Sequence, residues 1–132
     1  MTVRSGQALV ELALCAPVVL FLALGCVAVV QVEDAHSGLD AATHAAAAAA
    51  ARAPDPVTAN AAAQSRFAAV VAGYPISGTT LQISIGGFGR GAHFTATSQG
   101  FVDVSWAALV LPHRLGVRSQ VDMTLEPWRT HR

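Results

Sequence analysis

Glu11 is a lone carboxylate, four residues past Gln7, at the head of a run (residues 12–30) that carries no charge. An ionisable group at the centre of a membrane-spanning helix costs about 2.5–3.5 kcal/mol on insertion scales and less near its end, so it is expected to have a function and a partner. His36, Asp40 and His44 form a second set. They recur every fourth residue, so a helix would place an imidazole, a carboxylate and an imidazole on one face, which is chemistry a transition metal can use. A polar strip on an alanine-rich helix is more simply its solvated face, and His93, His113 and His131 are scattered elsewhere, so no metal is expected. A third set, Gly86-Gly87-Phe88-Gly89-Arg90-Gly91, invites a phosphate-loop reading. It has no Lys-Ser or Lys-Thr ending and no helix-forming segment behind it, so it reads as a hairpin loop with Phe88 and Arg90 at its tip. No serine or histidine has the local context of a nucleophile or general base, and no carboxylate pair stands out. Neither catalysis nor a cofactor is expected.

The elements that must position Glu11 begin with the apolar run. Residues 12–30 cover about 28 Å as a helix, close to the roughly 30 Å hydrocarbon core of a bilayer, so the lipid bilayer is an expected partner. Arg4 precedes the run and Glu33 and Asp34 follow it. The positive-inside bias then puts the N-terminus in the cytoplasm and the rest of this single-pass chain outside the cytoplasmic membrane. A composition that is 53% hydrophobic and 12% charged fits a chain that partly leaves water. The eight basic residues, all Arg, are matched by eight acidic ones, so there is no basic patch to hold a phosphate backbone, and nucleic acid is not an expected partner.

Cys15 and Cys26 are the two cysteines. On one helix they stand about 16 Å apart, too far for a disulfide, which needs Cα atoms within about 7 Å. A secretory signal peptide would have a shorter apolar core, about 7–15 residues. Leu24-Gly25-Cys26 offers a lipoprotein-type Gly-Cys. Ala23 and Leu24 reverse the usual large-then-small order, however, and the apolar run continues past Cys26 to Val30.

A short leader, a cut after Gly6 and retention of the whole apolar helix account together for Gly6, Glu11 and the uninterrupted run. Gly6-Gln7-Ala8-Leu9-Val10-Glu11-Leu12-Ala13-Leu14, followed by Pro17, resembles the prepilin-type start of the TadE-like family, pilin-like proteins of the tight-adherence (Tad) pilus system. Leu12 stands where these proteins often carry an aromatic residue. The resemblance implies that a prepilin peptidase cuts after Gly6, that Gln7 becomes the first residue, and that Glu11 serves assembly. The new amine at Gln7 is the kind of group that pairs with a buried carboxylate, within one helix or between packed subunits. The role implied is that of a minor pilin or pseudopilin in a type IV-like Tad pilus. Its partners would be the peptidase, other pilin-like subunits and the inner-membrane assembly machinery. The alternative is a membrane-anchored or lipidated extracytoplasmic binding module, with Glu11 incidental.

The expected fold is α+β: leader 1–6, N-terminal helix 7–53 and a small outer domain 54–132. The helix is expected over residues 8–52, because alanine fills residues 45–51 and Pro54 and Pro56 stop it. Its small-residue surface would let other helices approach closely. A second helix is expected over residues 57–72, capped by Thr58 or Asp55, with Phe67, Val70 and Val71 on one side. Alternating apolar residues then predict strands at 81–85, 102–106 and 117–125, with a weaker one at 92–97, as three or four antiparallel strands. Thr124-Leu125-Glu126-Pro127-Trp128 resembles the tails of some TadE-like proteins.

Overall fold

The computed structural model describes residues 2–87, 91–109 and 111–124. Helix α1 runs Thr2–Arg52, α2 Pro56–Val71, and three strands follow: β1 Ser77–Ile85, β2 His93–Asp103 and β3 Arg114–Thr124. The strands form one antiparallel sheet in the order β1-β2-β3, so the fold is α+β.

Helix α1 begins six residues earlier than the 8–52 expected, so Gly6 lies within it. It passes through Pro17, whose missing N–H removes one helical hydrogen bond. It ends at Arg52, just before Pro54, because a proline disfavours helical geometry in the residue preceding it. Asp55, rather than Thr58, caps α2. Its Oδ1 accepts from the Thr58 N–H at 2.8 Å and its Oδ2 accepts from the Thr58 hydroxyl at 2.7 Å. Pro56 occupies the first helical turn, where a missing N–H costs nothing.

The segments expected at 92–97 and 102–106 form one strand, β2, and Trp106 lies outside it in a single 3-10 turn, Ser105–Ala107. Val102 and Val104 keep the alternation of a strand, but the backbone N–H of Ser105 bonds to Asp103 Oδ1 at 2.9 Å and turns the chain. The hairpin between β1 and β2 carries Gly91 at φ +73°, a left-handed conformation suited to glycine. Phe88 and Arg90 of that loop, and residues 125–128 of the C-terminal resemblance, lie outside the described residues.

One face of the sheet is covered, chiefly by α1 lying over β2 and β3, while α2 packs on α1 and reaches β1. Helix α2 itself covers the sheet only at the β1 edge. Phe94, Ala96, Ser98, Val102, Val117, Ser119 and Val121 point into the core and alternate with exposed Gln99, Arg118 and Gln120. From α1, Ala35, Leu39, Ala42, Ala46 and Ala50 are buried at helical spacing, and from α2, Ala59, Ala63, Phe67 and Val71. Val70, expected on this side, is only half-buried.

Candidate functional site

The segment that carries Gly6, Gln7 and Glu11 is built differently from the rest of the molecule. Every side chain from residue 4 to residue 23 is exposed. Leu9, Leu12 and Leu14 present 66%, 64% and 70% of their surface. Aliphatic surface in water costs about 25 cal/mol per Å2, so a row of bare leucines and valines on a single helix calls for a non-aqueous surrounding. Helix α1 is long and apolar enough to cross a membrane.

Glu11 stands on this surface and forms no ion pair with any described residue. Gly6 is equally bare, since a Cβ built there meets nothing within 4 Å. Glycine inside a helix costs about 0.5–1 kcal/mol relative to alanine, so the fold supplies no packing reason for it. Gln7 is exposed in the same turn. The three residues predicted as a site therefore sit within about 8 Å along one helix, open on all sides.

Farther along α1 the surroundings change. Ala28 is 2% exposed, and a groove of about 810 Å3 runs between α1 and the chain before and within β3, with Phe21, Leu22, Cys26 and Val29 on one wall and Leu111 and Leu115 on the other. Cys15 and Cys26 are free and exposed. Residues 6–52 match the model of the TadE-like protein family. The N-terminal segment is TadE-like. The match opens at Gly6 and closes on Arg52, the last residue of α1, so it takes in the exposed apolar half, Glu11 and the buried alanine half together. The matched family belongs to the Tad pilus system, and the one apolar span found among the described residues is consistent with a single-pass membrane protein. No curated protein and no solved structure matches the chain.

The set His36, Asp40 and His44 divides on α1. Asp40 keeps 48% of its side chain exposed, in line with a solvated strip, and at the same time its Oδ1 accepts from the Ser119 hydroxyl of β3 at 2.7 Å. The His44 Nδ1–H donates to the Asp40 carbonyl at 3.0 Å, with Asp40 Oδ2 at 3.7 Å, and His36 is exposed. One turn along, the Thr43 hydroxyl donates to the Leu39 carbonyl at 2.7 Å and lies 2.6 Å from Ser98 Oγ, so Ser98 donates to Thr43. Ser98 and Ser119 are register partners on β2 and β3. Asp40 and Thr43 thus clamp α1 over one rung of the sheet. The two serines interrupt otherwise apolar strand positions, which is a readable oddity in the sequence, but their partners lie 55 and 79 residues away.

Two further residues emerge only from the fold. A Cβ at Gly38 would lie inside the Tyr74 ring, so glycine is what lets Tyr74 cross α1. The Trp106 indole N–H donates to Gln31 Oε1 at 3.1 Å and fastens the 3-10 turn to α1. Of the acids outside the apolar segment, Asp55 is held below the usual carboxylate range by the Thr58 N–H and hydroxyl. Asp103 is held there by the Ser105 N–H, with smaller help from Arg114 and His113.

Proposed function

We propose that this chain is a minor pilin or pseudopilin-like structural subunit, or an assembly factor, of a Tad-type pilus, and that a prepilin peptidase cuts it after Gly6. The observation that carries the reading is Glu11, a carboxylate with no ion pair among the described residues, on an exposed apolar helix and inside a TadE-like match that opens at Gly6. Cleavage would leave the Gln7 amine at the start of the helix, one turn from Glu11. An amine of a neighbouring subunit could then meet Glu11 in the low-dielectric interior, where a misdocked subunit leaves its charge uncompensated and pays a penalty of several kcal/mol. The new N-terminus faces the cytoplasm, and α2 and the sheet lie on the outer side of the inner membrane. In this role the protein is a substrate and a packing partner and performs no catalysis.

The test is the N-terminal sequence and intact mass of the protein taken from its native membranes, with and without Gly6→Ala. Alanine at position 6 meets no steric obstacle, so the substitution leaves the fold intact and reads the peptidase alone. A mature chain starting at Gln7 that disappears in Gly6→Ala supports the proposal. A chain starting at a lipid-modified Cys26, or one still carrying Met1, overturns it. Glu11→Gln separates the two roles, with cleavage retained and incorporation into pili lost.

A further inference from the structure

The turn between β2 and β3 has no role in the reading above. From Val104 to Pro112 the sequence carries no charge, while Asp103 precedes it and His113 and Arg114 follow it. Its side chains do not turn inward as a buried loop's would. Leu109 is 93% exposed and Trp106 43%, and Ala107 alone among residues 105–109 is buried. A bare leucine beside a half-bare tryptophan on a tight turn is unfavourable in water.

The position of the turn identifies what covers it. The Trp106 indole is bonded to Gln31, the first residue past the apolar run 12–30. Leu111 and Leu115 line an open groove with Cys26, Val29, Val32 and Glu33 of the same helix, a groove that spans the end of the apolar run. Glu33 and Asp34 stand on the other side of Gln31, where the helix turns polar. The turn is therefore level with the end of the membrane-spanning segment, the depth at which tryptophan collects in membrane proteins because its ring is apolar and its N–H polar.

We propose that the turn centred on Trp106 and Leu109 is a membrane-interface anchor. The indole lies in the headgroup layer of the outer leaflet, bonded to Gln31, and Leu109 dips into the upper acyl chains. With α1 it makes a second point of contact, which fixes the tilt and rotation of the sheet relative to the bilayer. The inference rests on the membrane-spanning part of the proposed function and is independent of cleavage at Gly6.

The experiment uses the full chain with Trp128→Phe, so that Trp106 is the one remaining tryptophan, reconstituted in phosphatidylcholine vesicles. Retention after an alkaline wash reads the span. Quenching of Trp106 by phosphatidylcholines brominated high or low on the acyl chain reads the turn. The expected result is a retained protein whose Trp106 emission is largely lost with the shallow bromine and less affected by the deep one. Leu109→Asp should shift that emission to the red and relieve most of the quenching. Retention with no quenching by either lipid overturns the anchor alone, whether water or protein covers Trp106. Release by the wash overturns the span and the anchor together.

Discussion

Residues 4–23 and residues 35–50 belong to the same helix and are both rich in apolar side chains, yet the first stretch buries none of them and the second supplies much of the core. The first stretch is built from Leu and Val that project outward. The second is built from Ala, with Ala35, Ala42, Ala46 and Ala47 fully buried because a small side chain lets α2 and the sheet come close to the helix. Large side chains suit a surface that meets fluid hydrocarbon, where no fixed shape has to be matched. Small ones suit a surface that meets fixed neighbours at close-packed density. The alanine face, whose small residues would let other helices approach closely, is thus used largely inside the molecule, and the surface left exposed is the leucine and valine half that carries Glu11.

The comparison can be broken most directly with matched substitutions. Leu39→Ala should destabilise the folded domain by about 2–5 kcal/mol, as leucine truncations in packed cores do. Leu14→Ala on the same helix should leave thermal unfolding in detergent unchanged. Equal losses from both would mean that the exposed half is packed after all. Glycines give a second pair: Gly38→Ala drives a methyl into the Tyr74 ring and should cost about 1–3 kcal/mol, restored in part by a smaller residue at Tyr74. Gly6→Ala should leave the same unfolding transition in place.

A smaller effect is expected at the polar clamp. Ser98→Ala removes one hydrogen bond to Thr43 and should cost about 1 kcal/mol, while the double variant with Thr43→Val should recover part of the loss by removing both partners. The smallest effect is at Asp55. Its carboxyl is lowered in the folded state by Thr58, so its contribution is fully present above the ordinary carboxylate value and fades as pH falls through the lowered one. The difference in melting temperature between wild type and Asp55→Ala should therefore be present at neutral pH and shrink in acid. A difference that grows in acid would reverse the assignment.

Much of this was legible locally. The long helix, its stop before Pro54, the α2 helix and the alternation in β1 and β3 follow from periods of 3.6 and 2 that the backbone imposes on any chain. The motif opening at Gly6 is equally open to reading, since Gly6, Gln7 and Glu11 lie within two helical turns. Trp106 was misplaced in a strand because Val104 continues the alternation, and only the Asp103 bond to Ser105 shows where the chain turns away. The half-exposed Asp40 fits a solvated strip, but its bond to Ser119 is not legible, because nothing near it in sequence reveals that partner.

The sequence by itself determined the apolar span, the lone Glu11 within it, the order of helices and strands and the balance of charge, for these depend on side chains within a few residues of one another. Tertiary structure alone decided that the alanines face inward, that Gly38 admits Tyr74, that Asp40 and Thr43 clamp one rung of the sheet, and that Trp106 comes down beside Gln31. Each of those is a meeting of residues far apart in the chain, and a meeting of that kind is fixed by shape and hydrogen bonding across elements, which no local pattern encodes.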